Sequence, residues 1–482
     1  MKNNLDKLFA DNKIINYFLW VIISLGLLVY KLIYHELWKD EWQAWLVARD
    51  QSIGEMLSFL NYEGHPSLWY LYLKIWSFVP VQEEILLQLS HGLLLVVSLY
   101  YLFARIKLPT IWKLLISLSY FIVFEYGVIN RGYIWVILLS LICVDLIAKE
   151  KYNRYLGFSL LLLCQTEAYG VIIAGAITIY IIFTYPTEFF KTEGSKNISK
   201  WSIAGLFLFI LTVYPRGNED DFSRAYNQQS FSSEVIHESI QGNLANVFTI
   251  GLIDDTASMG TSTIGFLVSV ILLVILIFIF LRDRRSMISM LFGLFGFITF
   301  GILIFTGGVR QWGMVYLLFA VMLILSNAVK SEWKLSRSLL VTLLMIAPVI
   351  HGIKALIVDA QIPFSNAKEV GLFIKDKVPE NVPVIVINKF ETAPVGAYAD
   401  RPLYELPSGQ KFTYFKWLEK VYIPTQSEIN LFTKFKKVGG VVLLSPTQID
   451  NNRFPNAQLW KEFTQENFKK ENYWLYSVPL EK

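Results

Sequence analysis

Cysteine and charged residues are scarce in this sequence of 482 residues. The two cysteines, Cys143 and Cys164, both lie in apolar runs, so neither a disulfide framework nor a cysteine-based metal site is indicated. Charged residues make up 17% of the chain, which is low for a soluble globular protein. The net charge of +4 gives no reason to expect binding to nucleic acid.

Apolar residues are abundant instead. They account for 54% of the chain and aromatic residues for 15%, and the mean hydropathy is +0.45. Because a helix needs about 20 residues to cross the hydrocarbon, the apolar runs predict a polytopic α-helical membrane protein with about 11 transmembrane helices. The predicted spans are residues 14–34, 85–105, 112–128, 133–148, 203–214, 264–281, 288–305, 312–326 and 339–350, with two short helices in 156–184 that separate at Gln165-Thr166-Glu167.

The distribution of lysine and arginine predicts the orientation and the domains. Basic residues mark cytoplasmic loops, and here they occupy every second connection between the spans. We therefore expect a cytoplasmic amino terminus, with the carboxy-terminal residues on the other side of the membrane. A transmembrane catalytic domain is expected at residues 1–352, with outer loops at 35–84 and 215–263. The second of these loops, which carries Arg216, Arg224 and His237, is a candidate substrate gate.

Polar positions return in residues 353–482. Two apolar runs bounded by proline and glycine, 382–387 and 440–444, predict buried strands, and 367–376 and 427–437 have helical spacing. We expect a small extracytoplasmic α/β domain. The sequence here contains no glycine-rich phosphate loop, and both a packing role and a role in acceptor recognition stay open.

The first outer loop carries two adjacent carboxylates, Asp40 and Glu41, framed by Trp38, Trp42 and Trp45. Charge beside a membrane helix is expensive and often marks a functional site. A carboxylate in such a place can act as a general base that takes the proton of a reacting hydroxyl group. Neighbouring helical side chains diverge by about 100°, so one carboxylate can face the reaction while the other orients a partner. The alternative is a solvated pair just past a helix end.

Glu63 and His65 follow in the same loop, directly before Pro66. A carboxylate oxygen and an imidazole nitrogen suit a divalent cation such as Mg, Mn or Zn, so this pair is a candidate metal site. The alternative is a hydrogen-bonded loop in which Pro66 begins the next helix.

Two arginines are expected at the same membrane face. Arg131 lies between Glu125 and Tyr133 at a turn, and Arg310 begins a later span. A guanidinium group binds phosphate through paired hydrogen bonds, so both arginines are candidate ligands of a lipid phosphate. Glu125, Tyr133 and Trp42 are candidates for contacts with the substrates of a transfer reaction, either the donor of the transferred group or its acceptor. The alternative for each arginine is an extension of its side chain to the lipid headgroups.

Two segments of the first loop resemble the GT-C superfamily of polyprenyl-phosphate-sugar-dependent membrane glycosyltransferases. They are KDEWQAWLVARD, with Asp40 and Glu41, and YEGHPSLWY, with Glu63. The pattern is similar to the branch that contains the protein O-mannosyltransferases and the bacterial aminoarabinose transferases of lipid A. The segments from Glu125 to Tyr133 and RQWG at 310–313 also resemble this superfamily.

The resemblance implies a GT-C fold and an inverting transfer from a polyprenyl-phosphate sugar to an acceptor glycan, lipid or protein. It implies that Asp40 is the general base and that Glu63 binds a metal or the acceptor. Arg131 and Arg310 would hold the lipid phosphate.

Two other classes of function remain open from the sequence. One is a transporter or flippase of a lipid-linked saccharide, and the other is a non-catalytic membrane assembly scaffold. Transporters favour charged residues and broken helices near the midplane, often in repeated halves. The polar residues here cluster at one predicted face and no half-repeat is detectable in the sequence, which favours the enzyme.

Overall fold

The computed structural model describes residues 10–151, 154–184, 192–214, 232–250, 263–328, 335–417 and 421–479. The chain divides into two compact units. We call them the helical unit and the mixed unit. The helical unit comprises Met1–Tyr30, Gly64–Trp69 and Gln88–Leu356, and the mixed unit comprises Lys31–Glu63, Tyr70–Leu87 and Ile357–Lys482.

Apolar helices dominate the described residues, and seven of them are long and apolar enough to cross a membrane. Three more apolar helices are shorter. These helices confirm a membrane protein, whereas the count of eleven spans and the orientation stay predictions. The helices are Lys13–Ile33, Glu83–Tyr100, Thr110–Leu118, Tyr133–Ala148, Arg154–Cys164, Ala168–Thr184, Glu193–Val213, Thr263–Phe280, Arg284–Leu303, Val309–Ala328 and Leu335–Gln361, with π-helical turns at Tyr101–Arg105 and Phe121–Glu125.

Helices of similar composition differ in how deeply they are buried. In Thr263–Phe280 only 33% of the positions are buried inside the protein, and Ile264 and Val274 are exposed. In Val309–Ser326 the buried share is 83%. A helix that is apolar on all sides is stable either in a core or in lipid. Thr263–Phe280 therefore has the surface expected of a lipid-facing helix, whereas Val309–Ala328 lies in the core of the helical unit.

The predicted break in the apolar stretch 156–184 is confirmed. One helix ends at Cys164 and the next begins at Ala168. The Gln165 amide donates to the Gly205 carbonyl at 2.9 Å, and the Thr166 hydroxyl donates to the Leu163 carbonyl at 2.7 Å. These contacts satisfy main-chain carbonyls in an apolar environment, which makes the break tolerable.

The long loop predicted at 215–263 is described only at residues 232–250 and 263. This segment forms the helix Ser233–Gln241, a π-helical turn at Gly242–Asn246 and the short helix Val247–Thr249. The hydroxyl of Ser232 accepts from the Val235 amide at 3.2 Å and so caps the first helix. Arg216 and Arg224 lie outside the described residues, and the gating role stays a prediction.

The mixed unit contains the predicted small α/β domain. Its sheet has the strand order β3-β2-β1-β4-β6-β5, in which β1 pairs in parallel with β2 and β4 and the other pairs are antiparallel. The predicted strands correspond to β1 and β4, whereas the sequence reading missed the other four. The strands are β1 Val384–Val386, β2 Leu403–Tyr404, β3 Lys411–Phe412, β4 Gly440–Ser445, β5 Gln458–Phe463 and β6 Tyr473–Pro479. The helices of this domain are Ala367–Lys377, Lys389–Tyr398 and Gln426–Lys436.

One apolar core holds the sheet to its helices. Ile385 of β1, Leu443 of β4 and Tyr476 of β6 lie in one buried cluster with Ile429 and Phe432 of the helix Gln426–Lys436. Burial of each such side chain stabilises the fold by about 1.5–3 kcal/mol.

The helices of the first loop are Lys39–Asp50, Ile53–Glu63 and Leu68–Trp76. The helix Lys39–Asp50 packs against Lys389–Tyr398. The Tyr398 hydroxyl donates to the Leu37 carbonyl at 2.8 Å, and its ring lies edge-on to Trp42 at 5.2 Å. The first loop is therefore part of the same compact unit as the carboxy-terminal domain.

Gly313 allows close packing inside the helical unit. A Cβ at this position would lie 2.2 Å from Cδ1 of Phe121 and 2.5 Å from the hydroxyl of Tyr126. We expect Gly313→Ala to lower the free energy of unfolding by about 1–3 kcal/mol, the usual cost of overpacking. Gly26→Ala is the matched control, because nothing lies within 4 Å of a Cβ there. The unfolding temperatures of both variants are measured in detergent. Equal changes in the two unfolding temperatures would contradict the close packing at Gly313.

Candidate functional site

A buried histidine of the mixed unit lies between two carboxylates. His35 Nε2 is 3.2 Å from Glu41 Oε1, and its Nδ1 is 3.3 Å from Asp359 Oδ1. Burial alone would lower the pKa of His35, but the charges of Glu41 and Asp359 and the hydrogen bonds to both raise it to about 9. His35 is therefore an imidazolium at neutral pH and donates to both partners.

Glu41 also fixes the start of the helix Lys39–Asp50. Its Oε2 accepts from the main-chain amide of Trp38 at 3.1 Å, and its side chain is fully buried. Both carboxylate oxygens are thus engaged in holding structure. The sequence offers Asp40 and Glu41 as the catalytic pair, in which one carboxylate faces the reaction and the other orients a partner. This geometry favours the orienting role for Glu41.

Asp40 is half-buried in the first turn of the same helix. A negative charge in the first turn is favoured by the helix dipole. The neighbouring Lys39 forms ion pairs with Glu391 at 2.8 Å and with Glu471 at 3.4 Å. Burial raises the pKa of Glu471, and the charge of Lys39 opposes this rise. Asp40 therefore lies beside a charged cluster, and its catalytic role stays a prediction.

Glu63 accepts hydrogen bonds from three side chains of the mixed unit. Gln43 Nε2 donates to Oε1 at 2.8 Å, and the Tyr70 hydroxyl and Trp417 Nε1 each donate to Oε2 at 3.0 Å. Trp42, predicted to contact substrate, is 2% exposed and packs on Tyr398. The contacts of Glu63 join the first loop to the carboxy-terminal domain.

In the helical unit, Arg310 forms an ion pair with Glu125. The Arg310 Nε lies 2.6 Å from Glu125 Oε1, and the side chains are 13% and 6% exposed. The Tyr120 hydroxyl donates to Glu125 Oε2 at 2.7 Å, and the Tyr126 hydroxyl donates to the Arg310 carbonyl at 2.6 Å. Two candidates from distant parts of the sequence are thus brought together.

Tyr133 lies beside this ion pair. Its ring stacks on Tyr126 at 5.3 Å, and its hydroxyl accepts from Gln311 Nε2 at 3.5 Å. Gln311 follows Arg310 directly in the chain. The stacked tyrosines therefore fix the helix start that carries the arginine.

Arg131 belongs to a second network of the helical unit. Its Nη2 lies 3.4 Å from His65 Nε2, and His65 Nδ1 lies 2.8 Å from Glu167 Oε2. Arg131 and Glu167 are both buried. Since an arginine can only donate, His65 Nε2 is the acceptor and Nδ1–H donates to Glu167.

The surroundings of Glu63 and His65 do not favour the predicted metal site. Within the described ranges no group of three or more His, Cys, Asp or Glu side chains could hold a metal ion. Glu63 already accepts three hydrogen bonds. His65 Nε2 faces the positive charge of Arg131, which opposes a cation at that nitrogen. The metal stays a prediction of the sequence alone.

Several residues of these networks were missed in the sequence. Glu167 had a usable signal, because it is an ionisable residue at a break in an apolar run. Asp359 lies in the helix Leu335–Gln361, beyond the predicted span 339–350. Trp417 carries no charge and follows no motif. Gln43 lies within KDEWQAWLVARD but carries no charge, so its pairing with Glu63 has no signal in the sequence.

Comparison with known proteins establishes the fold. No protein-family model and no curated protein matches the sequence. Two crystal structures of ArnT from Cupriavidus metallidurans are similar: the apo state, with a TM-score of 0.53 at 11% identity, and the state bound to undecaprenyl phosphate, with 0.51 at 10%. Each match covers 96% of this chain and 97% of ArnT. The predicted GT-C fold, with a small carboxy-terminal sheet domain, is confirmed.

We expect the stability of the protein to depend on the charge of His35. The folded pKa of about 9 exceeds the unfolded value of about 6.5, so the stabilisation is complete below pH 6.5 and is lost as the pH rises through 9. His35→Gln should lower the free energy of unfolding at pH 7 by about 3–5 kcal/mol, because it removes the positive charge that lies between two buried carboxylates. The same substitution should also make the free energy of unfolding depend less on pH between pH 7 and 10.

Unfolding temperatures measured across this pH range test the assignment. The exposed His237 is the matched control, and His237→Gln should retain the wild-type profile. An unchanged profile in His35→Gln would show that another group titrates.

Proposed function

We propose that this protein is an inverting glycosyltransferase that moves a sugar from a polyprenyl-phosphate donor to an acceptor hydroxyl outside the cytoplasm. The observation that carries the proposal is a pair of arginines in the helical unit of a GT-C fold: Arg131, which is buried, and Arg310, whose side chain is 13% exposed. Arg310 is paired with Glu125, and Arg131 contacts His65, which is paired with Glu167. Buried charge of this kind in an apolar helical unit is costly unless it is used.

The arginines suit the leaving group of such a transfer. Departure of a polyprenyl phosphate develops negative charge on the phosphate oxygens, and preorganised guanidinium groups stabilise that charge. The contact of Glu125 with Nε fixes the plane of the Arg310 guanidinium. We assign phosphate binding to Arg131 and Arg310 on this basis, with Glu125 and Tyr133 as the residues that hold Arg310.

Asp40 is the base in this proposal. Asp40 takes the proton of the acceptor hydroxyl as that oxygen attacks the anomeric carbon, and a single displacement inverts the configuration. A phosphate leaving group needs little assistance from an acid, so one base is sufficient. The imidazolium of His35 and Glu41 hold the helix start that carries Asp40.

The structural comparison supports a lipid-linked donor. The similar ArnT structure was solved with undecaprenyl phosphate, which is the chemical class of leaving group that the two arginines suit. From this comparison we apply to this chain only the chemical class of the donor, a polyprenyl-phosphate sugar. The acceptor hydroxyl in this proposal belongs to a glycan, a lipid or a protein.

We expect Asp40→Asn to abolish transfer, because an amide cannot accept the proton of the acceptor. Purified protein is incubated with a labelled polyprenyl-phosphate sugar and a cell-envelope extract, and the release of free lipid phosphate is followed. Asp376→Asn, at an exposed carboxylate, is the matched control and should retain wild-type activity. Full activity in Asp40→Asn would remove the assignment of the base. Movement of intact donor across vesicles, without bond cleavage, would indicate a flippase instead.

We expect Arg310→Lys to raise the KM for the donor by about tenfold or more, since lysine loses the planar contact with Glu125 and the paired hydrogen bonds to phosphate. Arg284→Lys, at an exposed arginine, is the matched control. Initial rates at several donor concentrations separate KM from kcat. An unchanged KM in Arg310→Lys would contradict phosphate binding by Arg310.

A further inference from the structure

A cavity of about 490 Å³ lies within the α/β domain. Val386 at the end of β1 lines it, as does Glu405, which directly follows β2. Because β1 and β2 are parallel, this wall is formed at the carboxyl ends of both strands. Open α/β sheets bind their ligands at this edge, and the volume falls within the range of about 300–1,000 Å³ for small-molecule sites.

One side of the cavity is aromatic. Phe390, Phe415 and Trp417 all line it, and their ring centroids are separated by 4.7–5.1 Å in edge-to-face arrangements. Such a wall offers apolar ring faces together with ring edges. It suits a ligand that has a flat apolar face of its own.

The polar groups of the cavity lining include two lysines and one glutamate. Lys389 forms an ion pair with Glu405, Lys416 is exposed to solvent, and Asn388 and Ser408 add neutral hydrogen-bonding groups. Solvent weakens the attraction of an exposed lysine for an anion, and Glu405 offsets the charge of Lys389. The lining therefore favours a ligand rich in hydroxyl groups over a phosphate.

The aromatic wall is held rigidly by the first loop. Gln43 Nε2 donates to the Phe415 carbonyl at 2.7 Å, and its Oε1 accepts from the Phe415 amide at 3.2 Å. Trp417 is held by Glu63, as described above. Lys39 Nζ lies 4.2 Å from the centre of the Phe390 ring. A preorganised wall loses little side-chain entropy when a ligand binds.

We propose that this cavity binds a saccharide unit of the acceptor, which rests on the proposed glycosyltransferase function. The C–H face of a pyranose stacks on the aromatic wall, and its hydroxyl groups bond to Asn388, Glu405 and Ser408. The residue adjacent to Lys39 is Asp40. The helix that carries the proposed base is thus in contact with the aromatic wall through Lys39 and Phe390.

Ser408→Trp tests the proposal, because Ser408 is exposed at the cavity rim and an indole there fills the space without disturbing the core. Gln410→Trp is the matched control, since Gln410 is exposed in the same loop and is absent from the cavity lining. Full-length protein in detergent is applied to an array of defined mono- to tetrasaccharides. We expect the wild type and Gln410→Trp to bind at least one saccharide, and Ser408→Trp to bind it about tenfold more weakly or not at all.

Release of lipid phosphate from the labelled donor, with water as acceptor, is measured on the same three proteins. That release tests the proposed function alone, whereas the array tests the cavity alone. No saccharide bound by the wild type, equal binding by Ser408→Trp and Gln410→Trp, or binding of inorganic phosphate in place of saccharides would overturn the inference. Donor cleavage that is equal in all three proteins, together with saccharide binding lost only in Ser408→Trp, is the supporting result.

Discussion

Every buried carboxylate of the candidate networks is paired, and this constraint organises the structure. Glu41 is paired with His35, Glu63 with three neutral donors, Glu125 with Arg310 and Glu167 with His65. An ionised carboxylate without partners in a low-dielectric interior would cost several kcal/mol. Because Glu63 and Glu125 take partners from other helices, satisfying these two carboxylates also fixes how the helices of each unit approach one another.

Most of the architecture could be read from the sequence because hydrocarbon thickness and burial leave periodic signals. Apolar runs gave the long helices, Glu167 and its neighbours marked the break in 156–184, and short apolar runs gave β1 and β4. The short or exposed strands β2, β3 and β5 carry no such run. Exposed strands depend on pairing with a neighbour rather than on their own composition, so local patterns could not indicate them.

The sequence indicated which residues belong to the candidate site more successfully than it indicated which residues contact one another there. Arg310 and Glu125 were both singled out, but their ion pair joins residues 185 positions apart, and no periodicity relates them. Glu63 and His65 were assigned to one metal site because they are neighbours in sequence. The structure instead gives each its own set of partners, which shows that proximity in sequence is weak evidence for a shared ligand.

The π-helical turn at Phe121–Glu125 has a consequence for tolerance of insertions and deletions. A π-helical turn accommodates one residue more than an α-helical turn, and here it ends at the carboxylate that holds Arg310. Loss of a single codon in this turn would convert it to an ordinary α-helical turn, which takes up one residue fewer, and the following residue would keep nearly the same direction about the helix axis. This turn can therefore absorb the loss of one residue, whereas the same loss within a continuous α-helix would rotate every following side chain by about 100°.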